Sequence, residues 1–124
     1  MHKILIVDDD PDFVEITSLF LKSKGYEIVT ATNSTEALKA MRAEPPSLVL
    51  LDIMMDGILD GLNVSREMEA DPALKNIPIV MISSIADTEH GGLLPTEGEL
   101  HMDAWFTKPV KPDDLLKEIE QLLG

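Results

Sequence analysis

Three segments of this chain are apolar without interruption and end in a polar residue: Ile4–Val7 before Asp8, Leu48–Leu51 before Asp52, and Ile79–Ile82 before Ser83; Ala104–Thr107 before Lys108 is a fourth short strand candidate, apolar up to Thr107. A strand with one wet face alternates apolar and polar positions, so uninterrupted runs predict strands covered on both faces. Glu27 to Ala31, centred on Ile28 and Val29, is a fifth and weaker strand candidate. Helical spacing fills the gaps between them. Asp10-Pro11 reads as an N-cap followed by proline at the first helical position, with Asp12 favouring the positive helix end. Phe13, Ile16, Leu19 and Phe20 then recur as an expected apolar stripe, stopped at Gly25. Asn33 and Glu36 form a capping pair ahead of Ala37, Leu38 and Met41, and Pro45-Pro46 ends that helix.

After Asp52 an irregular loop precedes a helix carrying Leu62, Val64 and Met68, which must finish near Asp71-Pro72. Pro112 opens a last helix in which Leu115, Leu116, Ile119, Leu122 and Leu123 share one face. Strands alternating with helices predict an α/β fold: a doubly wound, five-stranded parallel sheet with right-handed crossovers and helices on both faces. The stretch from Ile85 to Asp103 fits this alternation least. It holds Gly91, Gly92, Pro95 and Gly98 where a helix is due, so short turns rather than one continuous helix are expected there.

At 124 residues the chain is read as one domain, 1–124, with no output domain attached. It contains 44% hydrophobic and 27% charged residues, as soluble globular proteins do. No apolar run approaches the roughly 20 residues of a membrane span, and the N-terminus has no signal-peptide pattern, so a cytoplasmic location without membrane attachment is expected. The absence of cysteine removes disulfides, thiolate metal sites and thiol catalysis. The net charge of −13 repels phosphate backbones, so no direct nucleic-acid binding is expected. Solubility accounts for acids on the surface. It does not account for acids at the ends of apolar strands.

In a parallel sheet the strands point one way, so Asp8, Asp9, Asp52, Ser83 and Lys108 should share the C-terminal edge, where such folds collect their ligands. Three neighbouring carboxylates repel unless a cation lies between them, and an all-oxygen donor set without His or Cys favours Mg²⁺. A carboxylate attacking phosphorus forms an acyl phosphate. The protein's task is then positioning and charge neutralisation, to which the Lys108 ammonium and Ser83 hydroxyl are suited. Taken singly, each residue has an ordinary explanation: a helix cap for the Asp, a turn for the Ser, a solvated loop charge for the Lys. Their arrival in order on one edge does not.

These residues, in KILIVDDDP, LVLLDIMM with its following DG, PIVMISS and FTKPV, resemble the receiver domain of two-component response regulators over essentially the whole chain. The resemblance implies the flavodoxin-like strand order 2-1-3-4-5, with an irregular region where the fourth helix stands. It implies Asp52 as phosphoacceptor, Asp8 and Asp9 as the acidic pair holding Mg²⁺, and Met54 as the donor of a backbone carbonyl to the metal. Ser83 and Lys108 match the family's hydroxyl and lysine, and Trp105 stands at the switch aromatic's position, with core packing as the competing role. A sensor histidine kinase or phosphotransfer protein is implied as phosphodonor, with an unspecified downstream protein as reader. Both a monomer and a phosphorylation-dependent dimer stay open. A receiver is no enzyme on outside substrates, and catalyses only its own phosphorylation and dephosphorylation.

Three positions depart from the pattern. The proline usual four residues after the phosphoacceptor is Asp56, the switch aromatic is tryptophan, and 85–103 is longer and richer in Gly and Pro than the usual helix. Two rival readings follow. A small Mg²⁺-dependent aspartyl-phosphate hydrolase would place a second Asp two residues after the nucleophile, where this chain has Met54. A receiver fold that is never phosphorylated would have no need of the complete acid, hydroxyl and lysine set. Met54 and Met55 otherwise read as packing, and His2, His90 and His101 lack metal-ligand spacing.

Overall fold

A computed structural model describes residues 2–52, 60–83, 104–107 and 110–123. It contains one five-stranded, all-parallel sheet. The strands are β1 (Lys3–Val7), β2 (Glu27–Ala31), β3 (Leu48–Asp52), β4 (Ile79–Ser83) and β5 (Ala104–Thr107). The helices among the described residues are α1 (Pro11–Ser23), α2 (Ser34–Ala43), α3 (Asp60–Ala70) and α4 (Pro112–Leu123). The strand order is β2-β1-β3-β4-β5, so the winding reverses between β1 and β3. The expected fold and order are therefore those observed. The expectations for Met54, Met55, Asp56, Lys108 and the stretch 85–103 fall outside the described residues.

Alternation along the central strands divides the interior in two. Leu5, Val7, Val49, Leu51, Ile79 and Met81 point to one face, where Ala37 and Met41 of α2 and Val64 and Met68 of α3 cover them. Ile4, Ile6, Leu48, Leu50, Val80 and Ile82 point to the other, against Leu21 of α1 and Leu115 and Ile119 of α4. All five residues of β3 are buried, which is why that strand reads as an unbroken apolar run. Arg42 ties α2 to α3 through Glu67 at 3.5 Å and to Asp71 at 3.4 Å.

The caps form where the sequence places them. Asp10 accepts hydrogen bonds from the N–H groups of Asp12 and Phe13 at the start of α1, and Asn33 accepts one from Glu36 N–H at 2.8 Å at the start of α2. Gly25 ends α1 with φ +96, a backbone conformation in which a side chain would be strained. Its N–H donates to Lys22 O, and the N–H of Tyr26 to Leu21 O, which satisfies the last carbonyls of the helix.

The face of α1 differs from the expectation. Ile16 and Leu19 are each 62% exposed, whereas Thr17, Ser18 and Leu21 are buried and Phe13, Val14 and Phe20 are half-buried. The helix is turned so that Val14, Thr17, Ser18 and Leu21 meet the sheet. Small hydroxyl residues occupy positions that hydropathy alone assigns to solvent. The turn after α3 was also not anticipated: Leu74 and Ile77 belong to the core on the α2 and α3 face.

Candidate functional site

The site follows from strand register. Val7 pairs with Leu51 across β1 and β3, and Asp8 and Asp52 each come one residue later. Asp8 continues the ladder beyond β1, its N–H donating to Ala31 O at 3.1 Å, so its backbone is fixed by β2 as well. Asp8 is 1% exposed and Asp52 5% exposed, while Asp9, on the turn into α1, is open to solvent. One carboxylate oxygen from each of Asp8, Asp9 and Asp52 lies within 4.8 Å of the others. The two buried acids are thus supplied by strand ends and the third by the connecting turn.

The geometry of Asp8 is further set by its neighbour. The N–H of Asp10 donates to Asp8 Oδ1 at 2.9 Å, while the Asp10 side chain is itself engaged by the first turn of α1. On the solvent side, Asp8 and Asp9 border an open cleft of about 310 Å³ whose other walls are Pro11, Val14, Glu15, Thr30 and Thr32. This cleft opens Asp8 and Asp9 to solvent, and its other walls come from the first turns of α1, from β2 and from the residue that follows β2. The sequence reading missed those wall residues, because nothing in their spacing marks them.

Carboxylates this close repel in a partly buried setting, and a divalent cation among them removes that cost. Among the described residues the donor set consists of carboxylate oxygens, which are hard ligands suited to Mg²⁺ rather than to a thiolate- or imidazole-seeking metal. These three residues therefore fit the ion expected from the sequence.

Of the other expected site residues, Ser83 is the last residue of β4, one position past the Asp52–Ile82 pair, and is paired with Thr107 of β5. Its backbone thus lies on the same sheet edge. Lys108 and Met54 lie outside the described residues. Trp105 pairs with Met81 and is partly buried against the α2 and α3 face of the core. Trp105 thus packs on the core from the last strand.

Comparison with known proteins gives the same answer as fold and site. The family model for the response regulator receiver domain matches residues 4–120, and the chain belongs to that family. The DNA-binding response regulator MtrA of Mycolicibacterium smegmatis is 35% identical over 122 residues, which cover 98% of this chain and 50% of MtrA. The probable transcriptional regulator ycf27 of Pyropia yezoensis is 37% identical over 124 residues, covering 98% of this chain and 47% of its own. The chain thus spans about half the length of the curated relatives it matches. A putative response regulator from Chloroflexus aurantiacus superposes with a TM-score of 0.86 at 29% identity, covering 98% of this chain and 97% of the other. The receiver domain of NtrX from Brucella abortus gives 0.82 at 32% identity and 97% of each chain. The protein is a receiver domain of a two-component system, and the hydrolase and interaction-module readings are not favoured. No helix among the described residues is long and apolar enough to cross a membrane.

Proposed function

We propose that Asp52 accepts a phosphoryl group from a phosphohistidine of a sensor kinase or phosphotransfer protein, and that the acyl phosphate so formed shifts a conformational equilibrium read by a partner. The observation that carries this reading is the convergence of the Asp8, Asp9 and Asp52 carboxylates within 4.8 Å at the sheet's switch point. In the transfer, an Asp52 carboxylate oxygen forms a bond to phosphorus, the bond from phosphorus to the donor nitrogen breaks, and its electron pair leaves with the imidazole. Asp52 is suited to the attack because it ends the central strand β3, paired with Ile82 of β4 and directly after the Leu51–Val7 pair with β1. Asp8 and Asp9, with the backbone carbonyl of Met54, would hold Mg²⁺. That ion supplies neutralisation of charge on the transferring phosphoryl oxygens.

Lys108 contributes a compact positive charge to the same group, and Ser83 a hydroxyl donor. Trp105 reports or transmits the change from β5. The domain acts on no outside substrate and works in the cytoplasm. It is proposed to be a single unit over 1–124, monomeric or dimerising on phosphorylation. Its net charge of −13 argues against contact with nucleic acid by these residues themselves, although MtrA is a DNA-binding response regulator.

The test is the intact mass after incubation with Mg²⁺ and a small acyl-phosphate donor. One added phosphoryl group on wild type, absent in Asp52→Asn and absent without Mg²⁺, is the expected result. An unmodified wild-type mass, or modification that survives Asp52→Asn, overturns the assignment.

A further inference from the structure

We infer that Asp10 is a positioning residue for the metal site, acting through its own backbone N–H on Asp8 and held in place by the cap it makes on α1. The inference rests on reading Asp8 as a cation ligand. Pro11 has no N–H and disfavours helical backbone in the residue before it, and Asp10 is accordingly extended, with φ −87 and ψ 104. The first free donors of α1 are then Asp12 and Phe13, and Asp10 Oδ1 accepts from both, at 3.1 and 3.3 Å. With its side chain thus anchored forward on the helix, the peptide N–H of Asp10 points back and donates to Asp8 Oδ1 at 2.9 Å.

One residue therefore joins the start of α1 to the buried carboxylate. The strand ladder fixes the backbone of Asp8 through Ala31 but does not itself set its χ angles. The Asp10 N–H, by holding Oδ1, favours one setting of those angles and so helps to set which way the second oxygen of Asp8 faces. Groups that orient a metal ligand in this way typically account for about tenfold or more in metal affinity. The side chain of Asp10 matters here as a cap, an office that asparagine and serine perform as well as aspartate. Its negative charge is incidental to the effect.

The experiment is a Mg²⁺ titration of the full chain, read by the fluorescence of its single tryptophan and by amide NMR shifts, for wild type, Asp10→Asn, Asp10→Ser, Asp10→Ala and Asn33→Ala. The last variant removes the equivalent cap from α2 and serves as the control for general loss of stability. Asp10→Ala is expected to weaken Mg²⁺ binding about tenfold, with Asp10→Asn and Asp10→Ser binding as wild type does. Asn33→Ala should melt at a lower temperature yet bind Mg²⁺ normally. In the metal-free proteins, the residue-10 amide proton should keep its downfield shift in Asp10→Asn and lose it in Asp10→Ala.

Unchanged affinity in Asp10→Ala, or weakening in Asp10→Asn equal to that in Asp10→Ala, overturns the inference; the second result would assign the effect to charge. A wild-type protein that binds no Mg²⁺ while the amide shifts behave as described would instead overturn the metal reading of Asp8 and leave the backbone coupling standing.

Discussion

Asp8 and Asp52 each stand one residue beyond the paired Val7 and Leu51, so two buried carboxylates face each other from adjacent parallel strands. With Asp9 they form a group whose oxygens lie within 4.8 Å. Like charges within 4.8 Å repel by roughly 3–4 kcal/mol per pair at an effective dielectric of about 20, a cost carried by the folded state. Removing one of them should therefore stabilise the metal-free protein. Asp52→Asn is expected to raise the thermal midpoint without Mg²⁺ and to gain less from added Mg²⁺ than wild type does. A lower midpoint in Asp52→Asn under chelation would mean that the carboxylates are already compensated by the protein itself.

The interior makes a sharper statement about which side chains hold the sheet. Leu50 lies in the centre of β3, fully buried on the α1 and α4 face. Leu50→Ala should cost about 2–5 kcal/mol, the sum of lost transfer energy and the cavity left behind. Leu19, by contrast, is 62% exposed on α1, so Leu19→Ala should fall within about 0.5 kcal/mol of wild type. Urea denaturation of the two variants decides the point. A large loss in Leu19→Ala would turn α1 back to the face that its hydropathy pattern indicates.

The contrast between these two leucines shows what a linear pattern conveys. Leu48 to Asp52 could be read correctly because burial on both faces leaves no choice of register: every position must be apolar until the strand ends. The caps at Asp10 and Asn33 were equally readable, because their chemistry is local and involves residues three apart or less. The face of α1 was not, since Thr17 and Ser18 are small enough to lie against the sheet despite their hydroxyls. Leu74 and Ile77 were missed for a related reason: a turn has no period to mark its buried members. At the site, Asp8, Asp9 and Asp52 could be inferred from strand ends, which set position along one axis. The cleft walls at Thr30, in β2, and Thr32, just after it, come from the way β2 lies beside α1, and no spacing encodes that.

Ser18 offers a test of the α1 face from the opposite direction. Its hydroxyl is buried and has no hydrogen-bond partner among the described residues. A buried hydroxyl without a partner carries a desolvation cost of about 1–3 kcal/mol, while alanine fits the same space and favours helix. Ser18→Ala is expected to raise stability by about 1 kcal/mol, read from the urea midpoint at unchanged m-value. Destabilisation would show that the hydroxyl finds a partner in solution.

The last prediction concerns pH. Tyr26, the only tyrosine in the chain, is partly buried between α1 and β2, and its phenol is pushed above the ordinary value, first by that burial and second by the negative charge of Glu120 on α4. Both causes disfavour phenolate in the native state. Because the folded value exceeds the unfolded one of about 10, the native protein holds this proton more tightly. Its contribution to stability is complete below the unfolded value and is lost as pH rises through the folded one. Glu120→Gln removes the second cause only, so the phenol should titrate at lower pH than in wild type while staying above the ordinary value. Ultraviolet difference titration reads this directly, with no other tyrosine to interfere. The alkaline fall in stability should begin in the same pH interval in both proteins, since the unfolded value is shared, and should be shallower in Glu120→Gln. An identical phenol titration in the two proteins would show that α4 does not bring Glu120 within electrostatic reach of Tyr26.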